Sequence, residues 1–449
     1  MKKLTLTLMM ALLGGSLFLT SCEDDDDPSP DNGNGGDSTS TTVEKSGEIT
    51  ANETWTSDKI YELNGKVVVT ENVTLEIEPG TIIKGQEGSE ASASALVVAR
   101  GGKIMAEGTA DNPIIFTSVL DNIAIGEKAG TNLDETDNEK WGGLIILGRA
   151  PISAEKGDTE AAIEGLPADA GYGLYGGDNE EDDSGVLKYV SIRHGGILIG
   201  DGNEINGLTL GGVGSGTVIE NVEVYATLDD GIEFFGGSVD VKNALVYWQG
   251  DDGVDIDQNY SGTVNNFAVI HGDGVGTDEG LEIDGPEGST YTDGLFTLIN
   301  GTIMGSSAEG SAADIKSKAQ GTIENVYFSG YADDAYIKLR TSYEDFCGDI
   351  KGDSYNNYIA DSPTLVIKNS AFANASAEDV LVEVYTASKV SDADDAPTCE
   401  IKDGQQDAVD AVLADDTYGN TREVGSATVG ADLSVFDNWT ITSIKGGLN

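Results

Sequence analysis

The sequence predicts an all-β fold, a right-handed parallel β-helix with inserted loops, on three observations. One phrase is stated three times, as Asp-Asp-Gly-Ile-Glu-Phe-Phe (229–235), Asp-Asp-Gly-Val-Asp-Ile-Asp (251–257) and Asp-Glu-Gly-Leu-Glu-Ile-Asp (278–284). Each copy is an acidic pair, a turn glycine and an alternation of apolar and polar residues, the pattern of a half-buried strand. The copies start 22 and then 27 residues apart, the spacing of a solenoid with one coil per unit. A second phrase, apolar-x-Asn, recurs at Asn221, Asn243, Asn266, Asn300, Asn325 and Asn369, with Leu187-Lys188-Tyr189 in the same place. Asparagine tolerates the left-handed backbone that a sharp bend needs, and its amide can both donate and accept along a stack, so these residues are expected to form an internal ladder. Finally, 60 glycines against 9 prolines suit many tight turns.

In chain order, Lys2 and Lys3 precede an apolar run over 4–19 and then Leu19-Thr20-Ser21-Cys22. The run is too short and wrongly flanked for a membrane span, and the whole resembles a bacterial lipoprotein signal over 1–21. Cleavage before Cys22 would leave that residue to carry covalent lipid, and several acyl chains make a stable anchor. The following Glu23-Asp24-Asp25-Asp26-Asp27 resembles the export signal of surface-displayed lipoproteins, which is the favoured reading; the competing one is a plain solvated spacer. Residues 22–46 are acidic, Gly- and Ser-rich and read as a flexible tether. The implied location is an outer membrane, lipid-anchored and facing the exterior.

The β-helix is expected over 47–449. Short β-rich runs at 66–70, 73–77, 80–84, 95–98, 103–106 and 112–117 form its first coils, broken by turn residues such as Pro79-Gly80. Residues 121–140, 154–184 and 271–293 read as inserted loops, and regularity weakens from about 386. Val435-Phe436-Asp437-Asn438-Trp439-Thr440 is expected to cover an open end, as solenoids require. Cys347 and Cys399, alone after processing, are expected to pair as a disulfide in an oxidising setting.

Net charge is −54, from 79 acidic and 25 basic residues. Such a chain repels DNA, RNA and anionic lipid heads, which leaves cations, cationic surfaces and neutral ligands as partners.

Alternation puts Thr209, Glu233, Asp255, Glu282 and Asp314 in one outer column, and Phe235, Asp257 and Asp284 in the next. Like charges stacked about 4.7–4.9 Å apart are unfavourable. Asp252, Asp255, Asp257, Glu282 and Asp284 are therefore candidate ligands for calcium, a cation that takes six to eight oxygens. The competing reading is an exposed ladder screened by salt.

Trp141 to Ile152, Ile163-Glu164-Gly165-Leu166-Pro167, Gly185 to Val190, Glu204 to Gly214 and Asp229 to Gly237 resemble strings in Bacteroidetes cell-surface lipoproteins with a pectin-lyase-like parallel β-helix. The resemblance covers roughly 48–340. It implies fold and location and no activity. Polygalacturonase-like pectinases also set acids on successive coils, as Asp230, Asp251 and Asp252 are set here, and two carboxylates suit inverting hydrolysis. Yet their Gly-His-Gly place holds Asp278-Glu279-Gly280 and their Arg-x-Lys place holds Asp314-Ile315-Lys316, leaving His271 as a displaced substitute. Fold alone does not carry activity. The favoured reading is a surface module that binds a glycan or a partner protein of the outer membrane; a glycosidase using these aspartates is the alternative. Tyr247 and Trp248, beside the acidic pair 251–252, are candidate sugar platforms or plain packing.

Overall fold

In a computed structural model the chain winds as a right-handed parallel β-helix whose coils present three faces. The structure describes residues 41–89, 92–154, 158–166, 170–200, 203–272, 277–288, 290–306, 310–331, 336–343, 350–351, 353–373, 381–387 and 418–448. Cys22, Cys347 and Cys399 lie outside them, so the lipid site and the disulfide do too. The first strand, Thr42–Ile49, starts inside the stretch read as tether because it pairs in parallel with Ile60–Val69. No helix among the described residues is long and apolar enough to cross a membrane.

Each regular coil carries one long bent strand and one short strand. The long strands Val218–Tyr225, Val241–Tyr247 and Thr263–Ile270 stack in register. Their first halves build face one and their second halves face two. The short strands Leu208–Gly211, Ile232–Phe235, Val254–Asp257 and Leu281–Ile283 build face three.

The bend falls at the asparagines. Tyr189, Asn221, Asn243, Asn266, Asn300, Asn325 and Asn369 all have φ between 49° and 61°. Asn243 Nδ2 donates to Asn221 Oδ1 and Asn266 Nδ2 to Asn243 Oδ1, each at 2.8 Å. The amide chain then breaks, because Asn266 Oδ1 accepts from the backbone of Asp432 at 2.6 Å. Asn300 turns to Asn265, Asn325 to Asn300 and Asn369 to Glu324. Asn221 and Asn266 are buried, Asn243, Asn300 and Asn325 are half-buried and Asn369 is exposed, so the ladder lies at the wall of the coil and not in its interior.

The interior is filled by the apolar half of each alternation. Ile232, Phe234, Val254, Ile256, Leu281 and Ile283 are sealed from solvent. Each such side chain contributes about 1.5–3 kcal/mol of burial, repeated coil after coil.

Face two is covered on its outside. Near the start, Ile123 from the 121–140 loop packs on Ile82 and Ile115, and the Lys84 ammonium donates to the carbonyls of Asp121 and Ile123 at 2.7 and 3.0 Å. Further on, the C-terminal residues 430–448 lie across the coils. Phe436 and Trp439 pack on Leu245, Ala268 and Ile270, and the Trp439 ring meets Tyr189 edge-on. The segment around Val435 to Thr440 therefore covers a side of the helix and not an open end, because the outer column of face two is apolar there and needs a lid. The segment ends in a short helix, Ile441–Lys445, over Glu223.

Candidate binding site on the covered acidic face

Face three carries the acidic column. Ile145, Thr209, Glu233, Asp255, Glu282, Asp314 and Lys338 are successive neighbours. They point away from the core, yet Thr209, Glu233, Asp255 and Asp314 are buried. The reason is the inserted segments. Ala161–Ala162 pairs antiparallel with Leu174–Tyr175, and Ile197–Gly200 with Asn203–Ile205. Ile152, Ile163, Leu166, Tyr175, Ile197 and Ile205 from these segments form a second apolar cluster with Val68, Val97 and Ile145 of the early coils. The column is thus covered rather than hydrated, and the exposed, salt-screened ladder is ruled out for Glu233 and Asp255.

Burial and mutual repulsion raise the carboxyl pKa values through the cluster. Asp230, Glu233, Asp255 and Asp257 are all pushed well above the carboxylate range, first by burial and then by one another. Asp252 is pushed up to about 11 on the same grounds. Glu164, on the insert, is raised to about 7 by burial and by Glu204.

A column beside the first uses the second member of each acidic pair. Asp252 N–H donates to Asp230 Oδ1 at 2.9 Å, Glu279 N–H to Asp252 Oδ1 at 2.6 Å, and Ser311 Oγ to Glu279 Oε1 at 3.0 Å. Asp230 and Asp252 do fall on successive coils, but each has an oxygen committed to the next coil's backbone. Asp251 is exposed, with its pKa raised to about 6 by partial burial and by Asp278.

His271 is buried, with Nδ1 3.1 Å from Thr277 Oγ1 and Nε2 3.1 Å from Tyr331 Oη. Both ring nitrogens are engaged by hydroxyls, so neither is free to serve as the displaced substitute for the Gly-His-Gly histidine. Burial lowers its pKa to about 4, and that of His194 likewise to about 4. These are the chain's only histidines. An NMR titration is expected to show both imidazoles neutral from pH 8 down to about 5; a midpoint near 6.5 for either would mean an exposed ring.

The five residues expected to hold calcium do not form one shell. Lys316 lies against Glu282 and 3.5 Å from Asp284, so the protein neutralises those two itself. Asp257 stands in the column of Phe235, two residues beyond Asp255 on the same strand. Asp252 groups with Glu279 and Glu282, whereas Asp255 groups with Asp230 and Glu233. Tyr247 stacks on Tyr225 and Trp248, and the Trp248 ring lies over Gly272; both residues serve packing.

The insert also leaves a cavity of about 490 Å³ against face three. Leu174, Tyr175 and Phe235 supply its apolar wall, and Glu160, Glu164, Gln258 and Glu287 its polar one. Tyr175 Oη donates to Gln258 Oε1 at 3.1 Å. Sequence reasoning missed Tyr175, Gln258 and Asn206. Asn206 was legible: it precedes Leu208 by the same two residues that separate Asp230 from Ile232.

A solenoid of stacked parallel coils, with one sheet face roofed by its own insertions, an acidic column beneath and a cavity alongside, defines a parallel β-helix protein. The model of the family described as pectate-lyase-like beta helix domain matches residues 47–407, and the chain belongs to that family. No curated protein and no solved structure matches it.

Proposed function

We propose that the protein is a surface-displayed outer-membrane lipoprotein whose β-helix binds a glycan without cleaving it. The observation that carries this reading is the cavity at Tyr175 and Phe235. Its volume suits a small ligand, and its mix of apolar wall and convergent polar groups suits a sugar ring, whose apolar face stacks on aromatics. The family's pectate-lyase-like character supports a carbohydrate-related role. The abundance of carboxylates favours neutral or cationic sugars over uronates. Against hydrolysis, the paired aspartates 230 and 252 hold backbone amides, and His271 is enclosed. The lipobox at Cys22 and the acidic run after it support anchoring and outward display.

The test is binding of the full chain to a panel of neutral, cationic and anionic oligosaccharides, with release of reducing ends followed in parallel. Expected are binding without release, and at least a tenfold loss of affinity in Phe235→Ala, about the 1.4 kcal/mol of one stacking contact. Release that disappears in Asp252→Asn would establish the glycosidase instead. No binding across the panel would sink the glycan reading and leave a partner protein of the outer membrane, to be sought by cross-linking on intact cells. Surface protease shaving, with Cys22→Ser as control, tests anchoring and display separately.

A further inference from the structure

The acidic column changes character along the helix axis. From Glu282 onward the chain supplies its own counter-charge, from one or two coils further along. Lys316 reaches back to Glu282 and Asp284, Lys338 to Glu279, and Arg340 to Asp314 with Nε 2.7 and 2.9 Å from the two carboxylate oxygens. One coil earlier the pattern stops. Asp230, Glu233 and Asp255 have no lysine or arginine partner among the described residues, although all three are buried. Uncompensated buried charge is among the most unfavourable arrangements in a protein.

One oxygen from each of Asp230, Glu233 and Asp255 lies within 4.8 Å of the others. Oxygen–cation bonds of 2.3–2.6 Å allow a single calcium-sized ion to span that separation. An independent observation points the same way. Asp255 Oδ1 is buried and has no hydrogen-bond partner, and neither has Asn206 Oδ1, on the side chain whose amide nitrogen donates to Glu233. Asp255 is only 9% exposed. The two other acidic groups on this face differ: one contains exposed Asp251, and the other contains Glu279 and Glu282, already paired with Lys338 and Lys316.

We propose that Asp230, Glu233 and Asp255, with Asn206 at their edge, hold one divalent cation of calcium's size, enclosed between two coils beneath the insert. The ion takes the place that Lys316 and Arg340 take on later coils. It joins the coils and the roof over them, and it stands independently of the glycan reading. Hard oxygen donors without imidazole or thiolate select calcium over zinc, and the span suits calcium better than magnesium, whose bonds are near 2.0–2.1 Å.

The test uses the full chain stripped with EDTA. Calcium titrated by calorimetry is expected to bind one per chain and to raise the melting temperature by several degrees; magnesium at the same concentration is expected to do much less, and sodium nothing. Glu233→Gln/Asp255→Asn is expected to lose the calcium-induced shift while melting, without calcium, at or above the stripped parent, because repulsion has been removed. Asp284→Asn is expected to keep the shift. Terbium luminescence of the unmutated chain, displaced by calcium, reads the site without any variant. Absence of calcium heat and of terbium displacement, or a calcium shift that survives in the double variant, overturns the proposal and leaves protons as the neutralising charge.

Discussion

Alanine in place of Glu223 is expected to destabilise the protein by about 3–5 kcal/mol, the cost of leaving a buried partner charge uncompensated. The Glu223 carboxylate is sealed from solvent on the outer side of face two. It accepts from Ile441 N at 3.0 Å, Thr442 N at 2.9 Å and Thr442 Oγ1 at 2.7 Å, and from Ser191 Oγ. Ser191 Oγ in turn accepts from Arg193 Nε at 2.7 Å. Burial lowers the pKa of the fully enclosed Arg193, and Glu223 is the first group that opposes this. Removal of Glu223 takes away the largest opposing charge felt by that guanidinium and leaves three donors of the C-terminal segment unpaired. Urea denaturation should show a lower midpoint, and limited proteolysis should cut within 430–448 first. A midpoint within 0.5 kcal/mol of the parent, with the segment still protected, would mean that the carboxylate is not what holds it.

A loss of similar size, about 3–5 kcal/mol, is expected for Trp141→Ala. The indole is wholly buried between coils, its ring parallel to Phe116 at 6.4 Å between centroids, and its Nε1–H donates to the Arg193 carbonyl at 2.8 Å. It lies in a niche that only glycine leaves open, since a Cβ at Gly85 would fall 2.6 Å from the ring. The substitution leaves both a large void and an unpaired carbonyl. Trp141→Phe keeps part of the volume and should cost less, while Gly85→Ala should destabilise from the other side of the same contact. The measurement is the free energy of unfolding in urea for the three variants. If Trp141→Ala costs under 1 kcal/mol, the niche collapses without the ring and the contact is not a keystone.

The coil architecture was legible because solenoid physics writes itself locally. A bend needs a left-handed residue, so Asn221, Asn243 and Asn266 repeat; an interior needs one apolar side, so Ile232, Val254 and Leu281 repeat. The acidic column of Glu233, Asp255 and Glu282 followed from the same alternation. What alternation cannot show is what lies on top. Ile163 and Tyr175 come from the 154–184 segment, whose polar composition reads as inserted loop, and only their placement with Val97 and Ile145 turns an outer face into an interior one. The C-terminal segment was misjudged for the same reason: Trp439 and Phe436 announce an apolar partner, but not which of two surfaces supplies it. The reach of Lys316 and Arg340 back to the preceding coil is a matter of side-chain length that strand period does not encode.

Among the described residues the C-terminal segment closes the hydrogen bonds of longest sequence separation, with Lys128 donating to Asn438 across 310 residues and Lys445 to Leu133 across 312. A solenoid otherwise behaves as a one-dimensional array in which each coil answers only to its neighbours, so that ends fray and unfolding travels. Here an early loop and the late chain are tied together, and separating them breaks contacts belonging to both. Thermal unfolding should therefore approach a single all-or-none transition, and the early coils cannot reach full stability until residues 430–448 have docked.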